Sequence, residues 1–273
     1  MSRYYFRLNL YHRILHGMVI TSFLGLALTG LPLKYSATGW GRTLSTALGG
    51  PFVAGYLHRV FAVVTFLYFA LHLGYVARLV LRRDGGVFWG PMSMVPQPRD
   101  AVQLYQHVRY FLGLGQRPRF DRWTYWEKFD YWAVFWGIAI IGSSGLLLWF
   151  PTFFARWLPG WIFNIAIIVH SDEALLAVGF IFTIHFFNAN LRPEKFPMDP
   201  VIFTGRIDEE DFRRDHPAEF ERLNTEGRLV SLAADPPPRW LRNFSRVIGF
   251  TALATGLVLA YLIVLTALRW GAA

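Results

Sequence analysis

Five long apolar runs alternate with polar segments along this chain of 273 residues. A helix of about 20 apolar residues crosses the hydrocarbon core of a bilayer, and every run reaches that length. The pattern therefore predicts an all-α fold, an integral membrane helical bundle of four core helices plus a fifth transmembrane helix. The predicted spans are residues 14–33, 53–77, 131–153, 161–187 and 244–268.

The spacing of the apolar runs divides the chain into three predicted regions. Residues 1–190 form a four-helix membrane domain, and residues 244–273 contain the fifth transmembrane helix. Residues 191–243 lie between them as a cytoplasmic polar segment with short helices. The chain is thus expected to consist mainly of a membrane bundle.

Two polar segments are expected to contain helices outside the hydrocarbon core. In the segment 82–126, the apolar positions of Ala101–Leu112 recur at helical spacing and predict an amphipathic helix on the cytoplasmic surface. In the later segment, Asp208 is expected to cap one short helix. Pro217 is expected to begin another helix, which ends before Gly227.

Lys and Arg residues are distributed unevenly between the two sides of the predicted bundle. Three precede the first span, nine lie between Arg78 and Lys128, ten lie between Arg192 and Arg246, and only five lie on the opposite side. The positive-inside rule therefore predicts a cytoplasmic N-terminus and an external C-terminus. This topology and attraction to anionic membrane lipid account for the net charge of +9, so no nucleic-acid partner is expected.

The composition excludes several kinds of chemistry. Hydrophobic residues make up 54% of the chain and charged residues 16%, whereas about 25% is usual for charged residues in soluble domains. The chain has no cysteine. Disulfides, iron–sulfur clusters, covalently attached haem and a cysteine nucleophile are therefore excluded within this chain.

Eight histidines are the main candidates for chemistry. His107 and His216 lie in polar segments and are expected to be solvated. The other six lie in or at the ends of spans, where an ionisable side chain usually marks a function. These six are His12, His16, His58, His72, His170 and His185.

Four of the span histidines form two rows. His58 and His72 are 14 residues apart in the second span, about 40° apart around the helix and ~21 Å apart along it. His170 and His185 are 15 residues apart in the fourth span, which gives about 60° and ~22 Å. Both spans run inward, so the first members share an outer level and the second members share an inner level.

Paired imidazoles at one depth of a helical bundle are typical ligands of six-coordinate haem iron. The outer haem is predicted to bind His58 and His170. The inner haem is predicted to bind His185 together with either His72 or His16, which also lies at the cytoplasmic level. The matching rows slightly favour His72, but the spacing alone does not decide between the two.

Three stretches of this chain resemble prokaryotic dihaem cytochrome b membrane subunits, and the similarity covers about residues 5–200. These stretches are Tyr11–His16 leading to Thr29–Leu33, His58 and Arg59 followed by His72, and His170–Ala174 through His185 to Arg192–Pro197. The group is similar to the gamma subunit of membrane formate dehydrogenase and to cytochrome b subunits that serve periplasmic multihaem cytochromes c. In formate dehydrogenase gamma subunits the inner haem takes a ligand from the first helix, which implies His16. In the cytochrome b of respiratory bc complexes both haems lie between the second and fourth helices, which implies His72.

The resemblance implies two haem b groups with their iron, a membrane quinone as substrate or ligand, and a partner redox subunit. That partner is expected to be a periplasmic multihaem cytochrome c or iron–sulfur protein at the bacterial inner membrane. The expected function is electron transfer across the bilayer between the quinone pool and the partner. The alternatives are a haem-free proton or ion transporter and a haem-free anchor subunit.

Charged residues near the histidines have candidate supporting roles. Arg59 is expected to contact propionates of the outer haem, and Arg13 and Arg78 those of the inner haem. Asp172 and Glu173 are expected either to carry protons for a quinone or to orient an imidazole. Two further acidic residues either line an inner quinone pocket or serve as helix N-terminal charges. They are Glu127 and Asp130.

Overall fold

The computed structural model describes residues 3–83 and 85–270, and it is mostly helical. The described α-helices, in chain order, are α1 (Leu10–Lys34), α2 (Gly39–Ala47), α3 (Pro51–Leu81), α4 (Pro98–Phe111), α5 (Tyr125–Gly137), α6 (Ser143–Trp149), α7 (Pro151–Phe154), α8 (Trp161–Phe180), α9 (Val201–Thr204), α10 (Glu209–Asp215), α11 (Pro217–Thr225) and α12 (Arg239–Trp270). Five stretches are long and apolar enough to cross a membrane: α1, α3, α5 with α6, α8 with its continuation to Leu191, and α12. The predicted multi-pass helical architecture is confirmed to this extent.

The third and fourth membrane helices contain π-helical turns. Ile138–Gly142 joins α5 to α6, and Ile181–His185 and Phe187–Leu191 continue α8. A π turn has a wider hydrogen-bonding pattern than an α turn, and such turns often occur at functional sites. Because a π turn contains more residues than an α turn, each side chain after it has a different angular position around the helix axis from that in a regular α-helix.

The short helices outside the spans begin and end as their sequences predict. The Asp208 side chain accepts a hydrogen bond from the backbone N–H of Asp211 at 3.0 Å and caps α10. Pro217 is the first residue of α11, and Gly227 follows that helix with a φ of 68°. The amphipathic helix predicted at residues 101–112 is α4.

A small antiparallel sheet accompanies the helices. Its strands are β1 (Tyr4–Phe6), β2 (Arg206–Asp208) and β3 (Ala233–Ala234), in the order β2-β1-β3. Tyr5 pairs with Ile207 on one side and with Ala233 on the other. The segment before the first membrane helix is therefore the central strand of a sheet whose edges come from the polar segment after the fourth span.

The chain divides into two compact units. The polar unit contains residues 1–13, 70–133 and 200–245, and the bundle unit contains residues 14–69, 134–199 and 246–273. Each unit has its own apolar core. The core of the polar unit includes Tyr5, Val201, Ile207, Phe212, Phe220, Leu223 and Leu229. The core of the bundle unit includes Ala27, Leu31, Tyr35, Val178, Phe182, Phe186, Ala252 and Leu259.

A buried charge cluster connects three segments of the polar unit. Both Arg7 and Arg122 form ion pairs with Glu219, whose side chain is 3% exposed. Each arginine also donates a hydrogen bond to the backbone carbonyl of the other, from Arg7 to Arg122 at 2.6 Å. Burial, together with the nearby charge of Arg7, lowers the pKa of Arg122 to about 10 although Glu219 opposes both effects. Glu219 therefore compensates two buried guanidinium charges.

The expectation that His107 and His216 are solvated is wrong, because each residue is only 6% exposed. His107 lies on α4 with Nδ1 3.0 Å from the Tyr125 hydroxyl, and its ring stacks on Phe111 with a centroid separation of 4.3 Å. His216 donates through Nδ1 to the carbonyl oxygen of Asp121 at 2.8 Å. Both histidines hold the polar unit together instead of facing water.

Candidate functional site

Two pairs of histidines face each other within the bundle unit. The rings of His58 on α3 and His170 on α8 have centroids 6.2 Å apart and an interplanar angle of 77°. The rings of His16 on α1 and His185 in the fourth span have centroids 6.5 Å apart and an angle of 36°. Each pair therefore joins two different membrane helices.

The hydroxyl of Thr29 orients the ring of His58. Thr29 is 1% exposed and donates its hydroxyl proton to the carbonyl oxygen of Gly25 at 2.6 Å. Its oxygen lies 3.0 Å from Nδ1 of His58 and accepts a hydrogen bond from it. Nδ1 of His58 therefore carries the proton, and Nε2 keeps the lone pair that binds a metal.

A π turn provides the corresponding acceptor for His170. Nδ1 of His170 lies 2.9 Å from the carbonyl oxygen of Ile141, which belongs to the π turn of the third span. A carbonyl oxygen can only accept, so Nδ1 carries the proton and Nε2 is again the ligand atom. Metal-bound histidines commonly donate their second N–H to a backbone carbonyl, which fixes the tautomer and the ring orientation.

A glycine lies against each ring of this pair. A Cβ atom at Gly30 would lie 2.9 Å from Cε1 of His58, and one at Gly145 would lie 3.0 Å from Cε1 of His170. Any side chain larger than hydrogen would therefore displace the imidazole. The two positions give each ring room to lie close to a neighbouring helix backbone.

The structure brings His16 next to His185, whereas the sequence slightly favoured His72 as the partner. His185 is the last residue of a π turn, so the angle predicted for a regular α-helix does not apply to it. His72 is in the polar unit, where its Nε2 lies 2.8 Å from the hydroxyl of Tyr131. The geometry within the bundle unit thus favours the first-helix ligand.

The residues of both pairs fit haem iron. A metal that binds two ring nitrogens at about 2 Å each, as metal–imidazole bonds require, separates the ring centroids by roughly 6 Å. Both observed separations match that value. No group of three or more His, Asp or Glu residues suited to a metal ion occurs in residues 3–83 and 85–270. A haem needs only two axial ligands from the protein.

Comparison of the sequence with protein-family models and with curated proteins gives no match. The functional assignment therefore rests on the geometry of the histidine pairs and on the residues that orient them.

The three arginines predicted to contact propionates occupy different environments. Arg59 and Arg78 are exposed on α3. Arg13 is half-buried in the polar unit, where its Nε donates to the carbonyl oxygen of Phe203 at 2.7 Å. Arg13 therefore has a structural partner, while Arg59 remains the cation directly next to a candidate ligand.

Two of the acidic residues considered above, Asp172 and Glu127, have identified contacts. Asp172 forms an exposed ion pair with Lys34 at 2.8 Å, and Lys34 also donates to the Ser171 hydroxyl at 3.0 Å. Glu127 accepts from the backbone N–H of Thr124 at 2.8 Å, which stabilises the start of α5. The contact of Glu127 is thus the one expected of a helix N-terminal charge.

Sequence reasoning missed three features around the candidate histidines. The hydroxyl of Thr29, the carbonyl of Ile141 and the hydrogen bond between His72 and Tyr131 depend on neighbours distant in sequence. The dipeptide Thr29-Gly30 gave a partial indication in the sequence, because it places a hydroxyl beside a residue without a side chain inside a predicted span. Both residues contact His58 in the fold. The π turn that presents Ile141 has no comparable signature.

Proposed function

We propose that this protein is a dihaem membrane cytochrome b that passes electrons between the quinone pool and a partner redox subunit. One observation carries the proposal: His58 and His170 face each other, and each donates Nδ1–H to a fixed acceptor. That arrangement leaves two Nε2 atoms as ligands for one haem b. His16 and His185 are proposed to hold the second haem b.

The chain's own residues bind and orient these groups. When bound, the haems supply one-electron redox chemistry that the side chains lack. Four imidazoles would hold the two haem irons, and the apolar spans around them exclude water. Arg59 is proposed to pair with an outer propionate.

On this proposal a partner subunit carries out the reaction of the final substrate. This chain contains no cysteine, so it holds neither an iron–sulfur cluster nor a covalently attached haem. We place the partner, a multihaem cytochrome c or an iron–sulfur protein, on the periplasmic side of a bacterial inner membrane. The excess of Lys and Arg in the N-terminal and long polar segments supports this orientation.

We place the quinone on the cytoplasmic side. The hydrogen bond between His72 and Tyr131 supports this location, because both side chains can exchange protons and both lie near the inner ends of spans. On this proposal His72 interacts with the quinone and is not a haem ligand. A haem-free transporter or anchor remains the alternative that a spectrum tests.

The purified protein is expected to contain two haems per chain and to show the sharp reduced bands of bis-histidine b haem. His16→Ala is expected to contain one haem, because His185 loses its facing ligand. His72→Ala is the matched control and is expected to keep both haems, with altered quinone kinetics. Haem content by absorbance spectroscopy measures both effects.

Each other outcome of this experiment contradicts a defined part of the proposal. A haem-free wild-type protein supports the transporter or anchor. Loss of one haem in His72→Ala, with both retained in His16→Ala, assigns the inner haem to His72.

Thr29→Val is expected to raise the midpoint potential of the outer haem by tens of millivolts. Valine matches the shape of threonine but removes the hydroxyl that accepts from Nδ1–H of His58, which makes that imidazole a poorer donor to ferric iron. Thr29→Ser is expected to restore the potential, because serine keeps the hydroxyl. A redox titration followed by absorbance measures the shift, and equal potentials in all three proteins would exclude this role for Thr29.

A further inference from the structure

A cavity of about 420 Å³ lies where the turn after α1 meets the C-terminal end of α12, within the bundle unit. None of the residues that line it belongs to either histidine pair. The residues that define its chemistry are Thr38, Trp40, Leu262, Leu265, Thr266 and Arg269.

Hydrogen bonds within the protein fix the wall of this cavity. The indole N–H of Trp40 donates to the hydroxyl of Thr266 at 2.9 Å, and Thr266 in turn donates to the carbonyl of Leu262 at 2.8 Å. Thr38 donates to the carbonyl of Tyr35 at 2.7 Å. These polar groups already have partners, so they shape the cavity without needing a ligand.

Arg269 is the charged group of the cavity. It is exposed, and among the residues that the structure describes it forms no hydrogen bond or ion pair. Its guanidinium carries up to five N–H donors in a planar arrangement, which matches the oxygens of a phosphate group. The cavity therefore offers one cation whose donors are not used by any residue that the structure describes.

Apolar residues lie below this cation along α12. Leu265 and Leu262 precede Arg269 by four and seven residues, which puts all three on one side of the helix. The two leucines lie ~6 Å and ~10 Å from Arg269 along the axis, towards the middle of the span. The charge of Arg269 is thus followed, towards the hydrocarbon core, by an apolar surface made of Leu265 and Leu262.

We propose that this cavity binds one phospholipid from the leaflet at the C-terminal end of α12. Arg269 binds the phosphodiester, and Leu262 and Leu265 contact the upper part of an acyl chain. The combination of a guanidinium with an apolar wall on a membrane-spanning helix favours a phospholipid over an uncharged quinone, whose carbonyl groups need no cation. The proposal does not depend on haem binding.

Native mass spectrometry of the full-length protein, titrated in detergent with palmitoyl-oleoyl phosphatidylglycerol, tests this site. The wild type is expected to retain one tightly bound lipid, and Arg269→Ala is expected to bind it about tenfold more weakly. Arg156→Ala is the matched control, because Arg156 is an exposed arginine outside the cavity and is expected to leave binding unchanged. Leu265→Trp retains the cation but fills the cavity, and it is expected to lose the lipid as well.

Three results would overturn the proposal. Equal lipid affinity in wild type and Arg269→Ala would exclude Arg269 as the phosphate ligand. Binding of inorganic phosphate without binding of the lipid would replace the lipid site by a simple anion site. Co-purification of quinone that Arg269→Ala or Leu265→Trp removes would assign the cavity to quinone.

Discussion

Replacing His58 with Ala is expected to leave the purified protein with one haem instead of two. His58 and His170 are the facing pair of one site, and alanine provides no ligand atom to the iron. The remaining pair is His16 with His185, so the second haem is expected to stay. Haem content per chain and the reduced absorbance spectrum measure the loss.

Two further variants separate ligand loss from misfolding. His58→Gly with added imidazole is expected to regain the missing haem, because the free ligand can occupy the space of the side chain. His12→Ala changes a span histidine outside both pairs and is expected to keep two haems. Full haem content in His58→Ala would show that the assignment of the outer site is incorrect.

Replacing Glu219 with Gln is expected to destabilise the polar unit by about 3–5 kcal/mol, the usual effect of breaking a buried ion pair. Glutamine has a similar shape but no charge, so Arg7 and Arg122 would remain buried without their carboxylate. Hydrogen exchange of the backbone amides in β1 and α11, measured on the full-length protein, reports the loss.

The same helix provides a matched control for Glu219. Glu221 lies two residues later, is 65% exposed and pairs with the exposed Arg119. Exposed ion pairs contribute little, because water screens them. Glu221→Gln is therefore expected to leave hydrogen exchange nearly unchanged. Equal exchange in both variants would show that Glu219 does not hold the polar unit together.

The membrane helices and the short helices of the polar segments follow from local sequence. A long apolar run is sufficient to form a spanning helix, because a backbone in lipid must satisfy its own hydrogen bonds. The cap at Asp208 and the helix start at Pro217 also depend only on neighbouring residues. These elements could therefore be predicted without knowing what packs against them.

The sheet and the buried histidines of the polar unit could not be predicted in this way. Strands β1, β2 and β3 have only two or three residues each, which is too short for an alternating pattern to be recognised. His107 is covered partly by Phe120 and Trp126, which lie beyond its own helix, and His216 donates to the carbonyl oxygen of Asp121, 95 residues earlier in the chain. Their burial is a property of the tertiary fold.

The candidate haem sites were partly predictable. Depth along a span follows from residue number, so the separation of the histidines into two levels could be predicted from spacing. The angular position of His185 could not, because a π turn precedes it and no residue type in Ile181–His185 signals that turn. The preference for His72 over His16 depended on this angle.

The central position of β1 in its sheet has a consequence for synthesis of the protein. Tyr5 pairs with Ile207 and Ala233, so its two neighbouring strands emerge from the ribosome only after roughly 200 more residues. At about 5–20 residues per second, Tyr5 stays without its strand partners for some 10 to 40 seconds. During that interval four membrane helices are made. The sheet therefore closes late, and its closure marks a chain whose fourth helix has already been synthesised.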